Sequence, residues 1–409
     1  MDRREASMQP RQPRLYLDNA ATSFPKPPAV HEAMLRYATE IGASPGRGSY
    51  AEARAGSDIL RTCRERLARL VSAPSADHVI FTLNTTDALN LAIKGRVLGR
   101  LAAHPGKPVH VVTTAMDHNS VLRPFNALRA LGVEWTCVPV NPETGIVEAN
   151  DVARALRPET SLVAAVHASN VSGTVQPIAD LGAICRAKGV PLLVDAAQSI
   201  GHLPVDVEAM GIDLLAFPGH KGLLGPLGTG GLVIRPGLED RLSLYREGGT
   251  GSVSEDDTQP PAMPDRFEPG SHNTIGLAGL AEGVAWILDH GINSIARHER
   301  TLTAILLDRL ADVAGLRILG TQALDHRVGV VSVTHDAMPA ETLAERLEQD
   351  HDVLTRAGLH CAPHAHGAFG TLTTGACRLS VGSFVTEADV ERAADAVAEV
   401  CERQPAVSA

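Results

Sequence analysis

The sequence contains no apolar run near the roughly 18 residues that a bilayer span requires. Its longest candidates, around Leu192–Val194 and Leu214–Phe217, are strand-length pieces ended by polar residues. It also lacks a basic balance, and a formal charge of −10 argues against a broad nucleic-acid surface. The opening stretch MDRREASMQPRQPR, residues 1–14, has no apolar core, so no secretory leader is read there. Asp2, Glu5 and the prolines argue against a transit peptide, and the stretch reads as a disordered tail. No CxxC pair and no dense framework links Cys63, Cys137, Cys185, Cys361, Cys377 and Cys401. Such spacing fits free thiols in a reducing compartment, so a cytoplasmic location is expected. Internal repeats and low-complexity segments are absent as well.

What remains is a chain of 409 residues, 44% hydrophobic and 21% charged, ample for a large core and a smaller lobe. From residue 58 onward, helical stretches alternate with short apolar strands, the pattern of α/β units around a mainly parallel sheet. Helices are predicted over 58–70, 86–93, 120–130, 178–188 and 277–289. The strands between them are predicted at 78–82, 109–113, 134–138, 161–167, 191–194, 213–217 and 230–234. Residues 161–167 and 191–194 are continuously apolar, as central parallel strands are. A second α/β lobe follows, with helices at 295–314, 340–350 and 386–402 and a strand at 328–333. The Gly-, Pro- and Ser-rich acidic stretch 247–269 is long for a compact domain, hence functional or mobile.

Ligands of open parallel sheets collect at the carboxyl ends of the strands, so the residues after each strand are the first candidates. Asn84, Thr85 and Thr86 follow the first strand and open a helix; they form either an anion site or a plain N-cap. Asp117 and His118, then Ser169 and Asn170, then Asp195 and Gln198, then His220 and Lys221 follow four of the later strands, 109–113, 161–167, 191–194 and 213–217. A carboxylate ending an apolar strand, as Asp195 does, needs a cationic partner. Lys221 sits in GHKGLLGPLGTGG, where burial can strip its proton and make it nucleophilic. Each residue alone has a bland reading as a surface or salt-bridged side chain. One acid, one lysine, one ring partner and one phosphate cradle at a single edge meet the needs of pyridoxal phosphate.

The segments YLDNAATSFPKP, NTTDALNLAIKG, MDHNSVLRP, HASNVSGTVQPI, LLVDAAQSIGHLPVDVEAMGIDLLAFPGHKGLLGPLGTGG and RFEPGSHNT resemble the class V aminotransferase group of fold-type I enzymes. Within it the chain resembles the cysteine desulfurases, in the branch of the sulfur-mobilisation desulfurase and selenocysteine lyase. The resemblance spans about residues 15–400. It implies a large domain over 15–290 with a mainly parallel seven-stranded sheet, the first residues packing with a small C-terminal α/β domain over 291–409. It implies pyridoxal 5'-phosphate bound covalently by Lys221, which also moves the Cα proton, with Asp195 on the pyridinium nitrogen and His118 stacked on the ring. Gln198 would bond the phenolic oxygen, and Thr85, Thr86 and His220 the phosphate. Ser271 would reach the phosphate of a neighbouring subunit, so a homodimer is implied. Arg378 and Asn170 would bind the substrate carboxylate, with Asn19 and Arg47 also in the substrate set.

Cys361, in RAGLHCAP, is the implied sulfur acceptor. Its thiolate would attack the sulfur of L-cysteine, leaving alanine and a persulfide for transfer to an acceptor protein. Only the thiolate is competent, so a nearby proton acceptor is expected, with His360 and His118 as candidates. The alternative of a zinc site at His360, Cys361, His364 and His366 lacks a second ligand cluster. An Asp117–His118 hydrolase pair lacks a nucleophile elbow. Selenocysteine lyase or another C–S lyase, a true aminotransferase, and a cofactor-binding partner protein with poor turnover stay open as alternatives. Three positions depart from the family pattern: Pro218 where Ser or Thr is usual, Tyr50 where His is frequent, and Val385 where Asn is usual.

Overall fold

The computed structural model describes residues 14–253 and 255–402; the expected tail lies, apart from Arg14, outside them. The chain begins with β1 (Leu15–Tyr16), α1 (Pro28–Arg36), a π-turn at Tyr37–Ile41 and α2 (Ala51–Leu70). Alternation follows: β2 (Val79–Thr82), α3 (Thr85–Ala103), β3 (His110–Thr114), α4 (Asn119–Leu128), β4 (Glu134–Val138), α5 (Ala149–Ala155), β5 (Thr160–Val166), α6 (Ile178–Lys188) and β6 (Leu192–Asp195). Then come β7 (Leu214–Pro218), β8 (Gly230–Ile234), α7 (Thr274–His290) and α8 (Ile292–Ala311). The last part holds β9 (Leu316–Ile318), β10 (Val330–His335), α9 (Ala340–His351), β11 (Val353–Leu354), β12 (Arg356–Gly358), α10 (Pro363–Ala368), β13 (Ala376–Ser380) and α11 (Glu387–Glu402).

Seven strands form the main sheet in the order β2-β8-β7-β6-β5-β3-β4. Only β8 runs against the others, pairing antiparallel with both β2 and β7, so the sheet is mainly parallel as expected. Successive side chains of a strand point to opposite faces. Val163 and Ala165 of β5 accordingly pack under α2, α6 and α7, while Leu162 and Ala164 pack under α3 and α4. Both faces are covered, which is why these strands read as continuous apolar runs.

Two helices extend by seven residues or more beyond their predicted ends. α3 continues from Ile93 to Ala103 through Gly95 and Gly99, residues that weaken a helix by propensity alone. A Cβ at these positions would lie 2.9 Å from the Ser243 carbonyl oxygen and 2.7 Å from that of Arg241. The glycines therefore let the following chain lie against the helix. α2 starts at Ala51, seven residues ahead of the predicted start, because its first turns carry few of the buried residues that mark a helix in sequence.

In the C-terminal part, an antiparallel sheet in the order β12-β13-β10-β9 packs against α8, α9 and α11 in a separate apolar cluster. β1 pairs in parallel with β11, and Leu15 and Leu17 are buried in that same cluster. The N-terminal strand thus belongs to the C-terminal lobe, and the chain crosses from one lobe to the other at Asp18–Ala21. Among the described residues no single helix is long and apolar enough to cross a membrane.

Candidate active site

The carboxyl ends of β2, β3, β5, β6 and β7 open into a cleft of about 250 Å³ whose far wall comes from the C-terminal lobe. Asn84, Thr85, Thr86, His118, Asn170, Asp195, Gln198, His220, Lys221, Cys361 and Arg378 all line it, so one space gathers most of the residues read from sequence. A larger depression of about 530 Å³ lies at the opposite edge of the sheet, beside Pro191 and Asp213, and holds none of them.

At one end of the cleft, α3 presents its N-terminus. Asn84 caps it by accepting the Asp87 N–H at 2.9 Å, so the cap and anion-site readings are compatible: the cap takes one N–H and the hydroxyls of Thr85 and Thr86 stay beside the others. His220 stands opposite with its Nδ1 buried and unpartnered. Burial, with the charges of Lys221 and Lys26, depresses its pKa to about 4. The carbonyl of His220 is clamped by the N-terminal segment, through Ser23 N–H at 3.0 Å, the Thr22 hydroxyl at 3.0 Å and the Ser23 hydroxyl at 3.2 Å. That clamp fixes the turn carrying Lys221. Helix N-terminus, two hydroxyls, an imidazole and a lysine form a cradle suited to a phosphate.

Lys221 and Asp195 line the same cleft and feel each other's charge. Burial, opposed by the Asp195 carboxylate and aided by Arg378 and Arg356, pulls the amine down to about 8, within reach of its nucleophilic form at neutral pH. Asp195 ends β6 almost fully buried, and burial raises its pKa. Its Oδ1 accepts the Ala197 N–H at 2.9 Å; Oδ2 has no protein donor among the described residues. That free oxygen fits a protonated ring nitrogen. Gln198 donates to the Ala20 carbonyl at 2.9 Å, with its second N–H still free.

His118 forms the roof over this floor. Its Nδ1 accepts the Ser120 N–H at 3.0 Å and lies 2.9 Å from the Ser120 hydroxyl, which caps α4. Burial, then the charge of Lys221, lowers its pKa to about 4. A neutral imidazole whose Nδ1 accepts must carry its proton on Nε2, so His118 faces the cleft as a donor. Asp117 does not pair with it. The Asp117 carboxylate turns inward to Thr113 and Thr114 at 2.7–2.9 Å.

The C-terminal lobe contributes Arg378, Arg356 and Cys361. Arg378 is buried and donates to Asp18 at 2.7 Å and to the Asn170 carbonyl at 3.1 Å, leaving its Nε unpartnered. Asn170 donates through Nδ2 to the His360 carbonyl at 2.6 Å, and its buried Oδ1 is likewise unpartnered. Cys361 is exposed and unpaired. It follows His360 in a turn where both residues are left-handed, with φ of 57° and 49°, a conformation non-glycine residues seldom adopt. The other five cysteines are raised by burial to about 11 or 12.

Several sequence expectations need correction. His360 does not serve the thiol: Nε2 donates to the Arg356 carbonyl at 3.2 Å and Nδ1 meets His366 Nε2 at 3.4 Å. Burial first holds its pKa near 3, so the ring braces the turn. His364 instead approaches the Cys137 sulfur at 3.4 Å, and among the described residues no three potential ligands converge on a metal position. Asn19 is outside the cleft lining, its amide used by the Ser380 carbonyl at 3.1 Å and the Phe24 N–H at 3.2 Å. Arg47 is exposed and also outside it. Ser271 is likewise exposed outside its own chain's cleft, which is where a residue meant for a neighbouring subunit's site has to be. Arg356 and Ser120 were not singled out in sequence, although both lie inside quoted motifs, RAGLHCAP and MDHNSVLRP.

The family model for Aminotransferase class-V matches residues 15–393. A probable cysteine desulfurase of Methanothermobacter thermautotrophicus is 35% identical over 94% of each chain. A cysteine desulfurase of Yersinia pseudotuberculosis is 33% identical over 93% of this chain and 92% of its own. Among solved structures, the apo cysteine desulfurase of Thermococcus onnurineus NA1 superimposes with a TM-score of 0.88 at 31% identity, covering 95% of both chains. The cysteine desulfurase CsdA of Escherichia coli gives 0.85 at 26% identity, again over 95% of both.

Proposed function

The chain belongs to the class-V aminotransferase family, and from that membership and the cleft we propose that it is a pyridoxal-phosphate-dependent cysteine desulfurase. The observation that carries the reading is the meeting of Lys221 and Cys361, from different lobes, in one cleft. Bound pyridoxal phosphate supplies an electron sink that acidifies the Cα–H of an attached amino acid and labilises its C–S bond. Asp195 Oδ2 would hold the ring nitrogen protonated, Gln198 would donate to the phenolic oxygen, and Thr85, Thr86 and His220 would hold the phosphate. Arg378 would bind the substrate carboxylate through its unpartnered Nε edge. Lys221 would hold the cofactor through its amine and, once displaced by substrate, would accept the Cα proton. His118 would offer its Nε2 proton to the cleft.

The Cys361 thiolate then attacks the substrate sulfur: an S–S bond forms, the C–S bond breaks, and its electron pair stays on carbon. Protonation of that carbon gives alanine and leaves a persulfide on Cys361. An acceptor thiolate that attacks the outer sulfur restores the thiol.

The homodimer is part of the same proposal. Leu83, Leu227 and Ile275 are 51%, 68% and 37% exposed. The Asn273 amide, which donates to the Gly228 carbonyl at 2.8 Å, joins the segments of Ile275 and Leu227, and the Thr82–Gly230 pairing brings the Leu83 segment beside the same turn. Exposed Ser271, four residues before Ile275, would reach a partner's phosphate cradle across this face.

An anaerobic single turnover with L-cysteine tests the reading, comparing wild type with Cys361→Ala. Alanine plus one added sulfur on the wild-type protein, both lost in the variant, is the expected result. Alanine from both proteins would make the enzyme a lyase without a persulfide stage.

A further inference from the structure

Cys361 lines a second space besides the cofactor cleft. On its outer side is an open groove of about 370 Å³ between α3 and α4, whose charged residues are Lys94 and Arg123. No carboxylate lines this groove, although the chain carries a formal charge of −10. The Lys94 ammonium lies 5.2 Å over the Tyr245 ring, and the charge of Arg123 is felt at His118. Neither forms an ion pair with another described residue.

The catalytic loop is also tied down. The Cys361 carbonyl accepts the Asn119 N–H at 2.8 Å, and His360 is braced on both ring nitrogens. A sulfur on so fixed a turn does not travel to its acceptor; the acceptor must come to it. Like-signed cations around a reactive atom favour and accelerate approach of the opposite charge.

We propose that the Lys94–Arg123 groove receives an acidic peptide segment of a partner protein, which carries the cysteine that takes the persulfide sulfur. The proposal rests on the sulfur-transfer reading of Cys361. The acceptor thiolate attacks the outer sulfur, the S–S bond to Cys361 breaks, and Cys361 departs as thiolate while the acceptor becomes the persulfide.

The test uses the cofactor-loaded full chain, treated anaerobically with L-cysteine and stripped of excess substrate. Three synthetic peptides with one cysteine each, flanked by Asp and Glu, by Ser, or by Lys, are then offered, beside 2-mercaptoethanesulfonate. The acidic peptide should take sulfur about tenfold faster than the Ser-flanked one at low salt, and the advantage should vanish at about 0.5 M salt. A Lys94→Glu variant should form alanine normally in a single turnover yet lose most of that preference. Equal rates for all three peptides would overturn the proposal. An equal charge effect on 2-mercaptoethanesulfonate would overturn the peptide as occupant in favour of a small anionic thiol. Absence of any persulfide before acceptor is added would sink the desulfurase reading itself, an outcome distinct from both.

Discussion

Cys361 sits where its backbone resists any side chain. A left-handed residue other than glycine costs about 1 kcal/mol or more, so Cys361→Gly should be more stable than Cys361→Ala by about 1 kcal/mol in denaturant unfolding. Equal stabilities would mean that the turn relaxes without the thiol. Arg378 poses a different question, because its planar fork is shared among Asp18, the Asn170 carbonyl and a free Nε. Arg378→Lys keeps the charge but loses the fork. KM for cysteine should rise about tenfold with a smaller change in kcat. Lys221 sets a pH dependence with a defined sign. Its folded pKa of about 8 is below the roughly 10.4 of an unfolded lysine. The unfolded chain therefore binds more protons between those values, and stability of the cofactor-free protein rises with pH across the window. Lys26, lowered by burial to about 8, acts in the same direction. The comparison is therefore with Lys221→Met, which should rise less steeply. Below pH 8 the two slopes should match.

The elements owe their placement to a few buried contacts that join distant stretches of chain. Glu268 is the clearest, accepting Arg64 of α2 at 2.7 Å and the backbone N–H of Phe81 in β2, with both charged side chains nearly excluded from water. It ends the long 247–269 stretch and anchors the turn that carries Ser271. Glu268→Ala would leave a buried guanidinium without its partner, so unfolding free energy should drop by about 3–5 kcal/mol. A loss below 1 kcal/mol would show that water reaches the arginine. The alternating helices and strands were legible because continuous apolar runs mark central strands. Short strands such as β11, β12 and β13 were not. Residues like Arg356 and Arg378 carry little strand signal, and their pairing depends on partners far along the chain. The extension of α3 through Gly95 and Gly99 was hidden for a related reason. Propensity penalises glycine in a helix, and only the neighbouring chain shows why none other fits.

On the scale of the molecule, the cleft exists because two lobes meet. The N-terminal strand β1 stands apart from the large sheet, pairs with β11, and brings Asp18 to Arg378 and Ala20 to Gln198. The exposed face of Leu83, Leu227 and Ile275 would complete the site by bringing a second copy. Leu227→Glu with Ile275→Glu should shift the sedimentation-equilibrium mass from two chains to one and weaken cofactor retention. An unchanged dimer would move the interface elsewhere. By itself the sequence determined the α/β class, the family, and the candidates at the strand ends, because period, burial pattern and strand-end chemistry are local properties of the chain. Tertiary structure alone decided that His360 braces a turn, that Asn19 is consumed by backbone groups, and that His118 carries its proton on Nε2. Asn19 meets Ser380 from 361 residues away, a pairing no local pattern encodes; His118 and His360 find partners within six residues, but only the folded turns orient those rings.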